Sequence, residues 1–345
     1  MPRAVIVVVV LLTLCGGRPS PVDALASDGI WYVPNPGSMD LLRMFEHPEE
    51  WSRSRQLIHV FQFTQQHTFT PPDPIVGPNY YDALVRAGVF AKLTQWGKQI
   101  ALGVGAVKEF YCTNDSSGMD TSIRRSADAI RAVTAAQGRV SFLAMDEPFL
   151  SGRAPQCGGP DLEPTADRLQ TYVTSIKRDF PSVQIGLIEA YPSFSPDDFR
   201  NMLDLLGARG IRLAFVQLDV DIRAVRPPRD LTADVRAIRS VVADRGIPFG
   251  LIIWGYNGDS NALFARDAHV LEDAFIQAFP TWSEMPEQIS IQSWSPSATG
   301  LLLTPSNLPE SQPYTLTAIL LDVYRRLRGG TPARGTDTAV PRTGR

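Results

Sequence analysis

Short apolar runs alternate with longer amphipathic stretches along most of the chain. Eight of these runs have the length of a buried strand, at 29–33, 57–63, 99–107, 140–145, 183–189, 211–218, 248–254 and 289–294. The stretches that follow them carry apolar residues at three- and four-residue spacing, which predicts helices at 39–45, 81–96, 120–137, 162–180, 196–208, 230–245, 264–279 and 315–327. Strands that alternate with helices in this way are typical of a parallel sheet built from βα units.

The number of units predicts one α/β domain, a single (β/α)8 TIM barrel over residues 27–328. An open, doubly wound sheet is the alternative. Against it, no Gly-x-Gly-x-x-Gly sequence follows the first predicted strand. Polar or aromatic residues also stand at the end of nearly every predicted strand, which is where a barrel places its active site.

The first 26 residues have the pattern of a signal peptide. Arg3 precedes an apolar run, 4–14, that is too short to span a membrane. Small residues at Ala24 and Ala26 then offer a cleavage site. We therefore expect the mature chain to begin near Ser27 and to be secreted or periplasmic.

The composition narrows the possible partners. The chain has 345 residues, of which 44% are hydrophobic and 20% charged, as in an ordinary soluble domain. The formal net charge is only -3 and no long basic run occurs, so we expect no nucleic-acid partner. We also expect a monomer without a membrane span, and a disordered tail at 329–345, which is rich in Gly, Thr, Pro and Arg.

Three cysteines bear on processing and on redox state. Cys15 lies within the predicted signal peptide, and lipoprotein processing there is the less favoured alternative because the large Leu14 precedes it. Cys112 and Cys157 each follow a predicted strand end, and an exported chain meets an oxidising compartment. We predict a disulfide between them, with two free thiols as the alternative.

The fourth predicted strand ends in Asp146-Glu147-Pro148. Carboxylates at the carboxyl end of a barrel strand reach the face where active sites form. The same three residues could also be a polar turn that leaves a buried strand. We take Asp146 and Glu147 as the leading candidates for catalysis.

Other predicted strand ends supply further polar and aromatic residues. Glu189 and Asp219 are additional candidate catalytic carboxylates, although Glu189 could instead pair with an arginine. The second strand offers Gln62 and Gln65. Aromatic rings and amides suit the flat faces and hydroxyl groups of sugars, so we predict a carbohydrate-binding set of Trp31, Tyr191, Gln217, Trp254, Tyr256, Asn257, Gln292 and Trp294.

This constellation resembles the secreted glycoside hydrolases built on (β/α)8 barrels. In their largest clan the acid/base glutamate follows the fourth strand within Asn-Glu-Pro, and the matching residues here are Asp146-Glu147-Pro148. The resemblance implies cleavage of a glycosidic bond, without a cofactor, with Glu147 as the general acid. The chain departs from the clan at the seventh strand, where Trp254-Gly-Tyr-Asn257 lacks the nucleophilic glutamate.

Several arrangements therefore stay open. Glu147 could act with Glu189 or Asp219 as the second carboxylate. Asp146 and Glu147 also resemble the Asp-Glu pair of substrate-assisted hexosaminidases. A barrel that binds a glycan without cleaving it is the chief rival. A metal-dependent hydrolase, with the four carboxylates as oxygen ligands, is a weaker alternative, since no spacing in the chain resembles a zinc site.

Overall fold

Eight parallel strands close into one barrel in the computed structural model. Each strand pairs with the next along the chain, and the eighth pairs with the first. The structure describes residues 29–34, 40–70, 80–108, 117–157, 159–281, 284–293 and 305–329. The strands are β1 (Gly29–Val33), β2 (Ile58–Thr64), β3 (Gln99–Val104), β4 (Val140–Asp146), β5 (Gln184–Tyr191), β6 (Val216–Val220), β7 (Phe249–Ile253) and β8 (Gln288–Gln292). The predicted (β/α)8 fold is confirmed.

Helices follow the strands and cover the barrel. They are α1 (Asp40–Glu46), α2 (Ser52–Leu57), α3 (Tyr80–Arg86), α4 (Val89–Gln95), α5 (Ser117–Ala135), α6 (Pro148–Gly152), α7 (Glu163–Asp179), α8 (Pro196–Ala208), α9 (Leu231–Ala243), α10 (Asn261–Ala278) and α11 (Leu316–Gly329). Among the described residues, no helix combines the length and the apolar composition needed to cross a membrane. The predicted signal peptide lies outside the described residues, as does the tail beyond Gly329.

Several elements differ from the sequence prediction. The predicted helix at 81–96 is two helices, α3 and α4, because Gly88 between them has a φ of 66°, which a helix cannot continue through. The predicted strand at 211–218 begins only at Val216. The backbone N–H of Ile211 still donates to Leu206 at the end of α8, so the chain is turning there. Helices α2 and α6 were not predicted, since neither is long enough to show a helical period.

Two separate apolar clusters stabilise the fold. The larger lies between the strands and the helices, and the smaller fills the barrel interior around the rings of Trp31, Phe142 and Phe215. The Trp31 ring lies 5.2 Å from Phe142 and 4.8 Å from Phe215, measured between centroids. Gly186 makes room for this packing, because a Cβ there would lie 2.2 Å from the Phe215 ring. The aromatic cluster therefore seals the barrel below its mouth.

Polar side chains set the start of three helices that follow strands. The Ser195 hydroxyl accepts a hydrogen bond from the Asp198 backbone N–H at α8, and the Asp198 carboxylate accepts one from the Ser195 backbone N–H. Asp230 caps α9 and Ser260 caps α10 in the same way, each through one bond. Such caps satisfy N–H groups that a helix leaves unpaired at its first turn.

An ion network fixes the last helix, α11, against α10. Glu272 on α10 is fully buried, and its carboxylate accepts a hydrogen bond from Arg326 Nη1 at 2.5 Å and lies 2.9 Å from His269 Nδ1. Arg326 on α11 also pairs with Asp273. Removing Arg326 would leave the buried Glu272 carboxylate without its cationic partner. Such a loss destabilises a fold more than the loss of an exposed ion pair does.

We predict that Arg326→Met lowers the free energy of unfolding by about 3 kcal/mol, because the Glu272 carboxylate loses its cationic partner. The matched control is Arg325→Met, whose exposed pair with Asp322 contributes less than about 1 kcal/mol. Urea denaturation of the two variants measures the difference. Equal losses would show that the buried network does not hold α11 in place.

Candidate active site

The chain turns sharply at the end of β4, and the turn brings two adjacent carboxylates together. Asp146 ends the strand, and Glu147 then takes a left-handed conformation with φ 49° and ψ 47°. The Glu147 N–H donates to the Ile188 carbonyl on β5 at 2.9 Å. Adjacent strand residues normally point to opposite faces, and this turn lets both side chains reach one partner. Strain of this kind in a non-glycine residue is concentrated at functional sites.

That shared partner is Lys108, four residues after β3. Its Nζ donates to Asp146 Oδ2 at 2.9 Å and to Glu147 Oε2 at 3.1 Å. Burial alone would lower the pKa of Lys108, but the charges and hydrogen bonds of the two carboxylates outweigh burial and raise the pKa above its ordinary value. The side chain is therefore held as an ammonium ion. Sequence reasoning did not predict this role, since a loop residue gives no periodic signal of its partner.

Glu147 and Asp219 both hold protons more tightly than ordinary carboxylic acids. Burial, followed by the charge of Asp146, raises the pKa of Glu147, and Lys108 opposes the shift. Burial raises the pKa of Asp219 to about 7, and the charges of Glu147 and Asp146 add to the shift. Trp254 and Lys108 offset part of it. Near pH 7 Asp219 is therefore close to its pKa and is partly protonated.

These groups face an open cleft at the carboxyl ends of the strands. The cleft has a volume of about 660 Å³, within the range of small-ligand sites. Ile188 and Ala190 form part of its apolar wall. Its polar lining includes Gln62, Lys108, Arg125, Asp146, Glu147, Asp219, Asp221, Trp254 and Gln292. The structure thus brings together three of the four predicted catalytic carboxylates.

Glu189 is the exception. Its neighbours Ile188 and Ala190 line the cleft, so Glu189 points to the outer face of β5, where it is fully buried. Its carboxylate accepts hydrogen bonds from the backbone N–H groups of Phe149 at 2.6 Å and Leu150 at 3.4 Å, in the first turn of α6. The predicted catalytic role is therefore corrected to a structural one. The four carboxylates also do not form one set of metal ligands.

Two predicted sugar-binding residues lie below the cleft. Trp31 is 1% exposed and belongs to the aromatic cluster that seals the barrel. Gln217 is also 1% exposed, and its Nε2 donates to Gln288 Oε1 at 2.9 Å inside the barrel. Both side chains point into the barrel. They lie too deep for the ligand contact that we expected, because position at a strand end does not reveal depth in the barrel.

Three other predicted contacts have local partners. The Tyr191 ring is buried, and its hydroxyl donates to Asp234 Oδ2 on α9 at 2.8 Å. Tyr256 stacks beneath the Arg223 guanidinium at 5.0 Å. Asn257 forms a turn, in which its Oδ1 accepts from the Asp259 N–H at 2.9 Å. These contacts shape the loops around the cleft and place neither Tyr256 nor Asn257 in its lining.

Tyr191, Trp254 and Gln292 do line the cleft, at the ends of β5, β7 and β8. Trp294 lies outside the described residues. Cys112 does as well, whereas Cys157 is buried and lies just before α7. The Cys112–Cys157 disulfide stays a prediction.

No protein-family model matches the chain, and no curated protein matches its sequence. Solved structures match its fold. A thermostable mutant of a xylanase from Cellvibrio japonicus aligns with a TM-score of 0.54 and 14% identity, over 89% of this chain and 99% of the xylanase. A glucosidase from Croceicoccus marinus aligns with a TM-score of 0.48 and 15% identity, over 81% of this chain and 63% of the glucosidase. A deoxyribose phosphate aldolase from Aeropyrum pernix aligns with a TM-score of 0.45 and 12% identity, over 82% of this chain and 91% of the aldolase. At these identities the similarity shows the barrel fold alone.

The raised pKa of Asp219 predicts a pH-dependent loss of stability. In the unfolded chain its pKa returns to about 3.9, so the stability it contributes is fully present below that value and is lost as pH rises through about 7. Asp219→Asn removes this loss. The variant should match the wild type near pH 4 and exceed its free energy of unfolding by on the order of 2–4 kcal/mol near pH 8.

Urea denaturation at the two pH values tests this. Asp221→Asn is the matched control, because Arg223 bonds to Asp221 and holds its pKa below the ordinary value. That variant should gain no stability at the higher pH. A stabilisation by Asp219→Asn that did not depend on pH would contradict the assignment of the proton.

Proposed function

We propose that the protein is a glycoside hydrolase that cleaves a glycosidic bond with Glu147 and Asp219 as its two working carboxylates. The observation that carries the proposal is the electrostatics of the cleft. Three carboxylates and one ammonium group share an open site, and one carboxylic acid keeps its proton near neutral pH. Glycosidic cleavage requires one protonated acid and one ionised carboxylate at the same bond.

The pKa shifts favour Asp219 as the proton donor. Its pKa of about 7 suits an acid that works near neutral pH. Lys108 bonds directly to Glu147 and stabilises its ionised form, which suits a nucleophile or a base. This assignment reverses the one expected from the resemblance, in which Glu147 was the acid. Asp146 shares Lys108 and so keeps the ammonium in place beside Glu147.

Substrate contacts would come from the remaining cleft lining. Trp254 offers an aromatic surface and Gln292 an amide, both at strand ends that face the carboxylates. The predicted signal peptide would carry the enzyme out of the cytoplasm, where polysaccharides are available. A disulfide between Cys112 and Cys157 would suit that compartment.

A lysine in a barrel could alternatively form a Schiff base with a carbonyl substrate. That chemistry needs a neutral amine, which proteins obtain by lowering the pKa of the lysine. Lys108 has the opposite environment, because two carboxylates raise its pKa. The cleft therefore favours acid/base chemistry over Schiff-base chemistry.

We predict that Glu147→Gln and Asp219→Asn each lower kcat/KM about 10²- to 10⁴-fold on natural polysaccharides, because each removes one half of the acid/base pair. Release of reducing ends from xylan, cellulose, mannan, starch and chitin measures turnover. Aryl glycosides with a nitrophenol leaving group separate the two roles, since such a group leaves without protonation. Asp219→Asn should recover most of its activity on them, and Glu147→Gln should not.

If Glu147→Gln recovers activity on the aryl glycosides and Asp219→Asn does not, Glu147 is the acid. Asp128→Asn is the control, because Asp128 is an exposed residue of α5 that pairs with Arg131 and lies outside the cleft. It should keep turnover within a few-fold of the wild type. A wild-type protein that binds a glycan and releases no reducing ends would instead be a binding protein.

We also predict a bell-shaped dependence of kcat/KM on pH. Activity should fall as pH rises through about 7, where Asp219 loses its proton, and fall at acidic pH as Glu147 becomes protonated. Lys108 lowers the pKa of both groups, so Lys108→Met should lower the rate and move both limbs to higher pH. Kinetics across the pH range provide the test. If both limbs of the pH profile stay in place in Lys108→Met, Lys108 does not set the charge states of Glu147 and Asp219.

A further inference from the structure

The lower part of the cleft contains polar atoms that have no partner within the described part of the chain. They are Gln62 Oε1 on β2, Asp219 Oδ1 on β6 and Trp254 Nε1 at the end of β7. The Trp254 indole lies close enough to Asp219 to lower the pKa of that carboxyl group, but it makes no hydrogen bond of ordinary geometry. All three residues line the cleft, and we call them the cleft floor. The proposed reaction uses only Asp219, so Gln62 and the Trp254 indole N–H have no role yet.

Gln62 is the most informative of the three. It is only 5% exposed, and Val60, two residues earlier on the inner face of the same strand, is apolar. A buried amide oxygen without a hydrogen bond destabilises a fold, whereas a leucine of similar size would not. Gly103 on β3 leaves room beside it, because a Cβ there would lie 3.2 Å from Gln62 Nε2. An arrangement that weakens the fold and faces a cleft points to a ligand.

We infer that the cleft floor is the subsite for the sugar ring next to the scissile bond, in which Gln62 accepts a hydrogen bond from one ring hydroxyl and Trp254 donates one to another. This inference rests on the proposed hydrolase function. Each hydroxyl of a sugar both donates and accepts, so neighbouring hydroxyls can satisfy an amide oxygen and an indole N–H together. The nearby Asp219 carboxyl places the same ring beside the proton donor.

The charges around the floor select a neutral ring. Lys108 is already bonded to Asp146 and Glu147, Arg223 is bonded to Asp221, and Asp219 keeps its proton. The carboxylate of a uronic acid would find neither of these cations free and would lie close to two ionised carboxylates. The floor itself offers an amide and an indole, which bear no charge. A neutral hexose or pentose therefore fits the site better than an acidic sugar.

The test measures sugar binding and stability in the same variants. Glucose, xylose, mannose, galactose, N-acetylglucosamine and glucuronate are titrated into the full chain carrying Glu147→Gln, which prevents turnover, by saturation-transfer NMR and calorimetry. Adding Gln62→Leu should weaken binding of the neutral sugar about tenfold while the melting temperature stays the same or rises. Gly103→Ala, which pushes on the Gln62 amide, should weaken binding in the same direction.

Ser290→Ala is the matched control. Ser290 Oγ is also buried in the barrel without a partner among the described residues, but it does not line the cleft. This variant should leave sugar binding unchanged. Equal binding by the Gln62 variants and their parent would overturn the inference, as would tighter binding of glucuronate or no binding of any neutral sugar. Gln62-dependent binding by a wild-type protein without turnover would support the subsite and reject the hydrolase function.

Discussion

Repulsion among the carboxylates of Asp146, Glu147 and Asp219 is the constraint around which the mouth of the barrel is arranged. Lys108 offsets part of it by bonding to the first two. At Asp219 burial, together with the charges of the neighbouring carboxylates, outweighs Lys108 and raises the pKa, so the group holds a proton instead. Both outcomes follow from the fold. The turn after β4 delivers two carboxylates to one ammonium, and β6 delivers the third to the inner face of the barrel. A site with one acid and one ionised carboxylate results.

The depth of the cleft depends on how the barrel interior is filled. Trp31 and Phe215 pack together in the lower part, and Gly186 allows the Phe215 ring to enter. Above them the inward positions change from apolar to polar, as β2 and β6 show with Gln62 and Asp219. Large rings below and polar groups above leave a cleft that is closed at its base. The polar groups nearest that base are therefore shielded from solvent and depend on a ligand or on each other.

Much of the fold could be predicted from the sequence, because the period of the apolar residues is set by the same geometry as the barrel. The strand end at Asp146 and Glu147 could be located for that reason. The role of Glu189 could not. Both faces of a parallel strand are buried, so β5 reads as a continuous apolar run and does not reveal which residues point inward. The partner of Lys108 was equally hidden, since it depends on the left-handed turn at Glu147 and no periodic pattern encodes that turn.

Glu189 nevertheless contributes to the site indirectly. Burial raises its pKa, which shows that the fold gains little from its charge, yet its carboxylate accepts from the Phe149 and Leu150 N–H groups directly after the turn. Those N–H groups would otherwise be unpaired at the start of α6. The bonds hold the helix against β5, while the Glu147 N–H bonds to Ile188 on the same strand. Two attachments to one strand, on either side of Pro148, fix the strained backbone that points Glu147 at Lys108. The carboxylate that the sequence suggested for chemistry thus serves to position the one that lines the cleft.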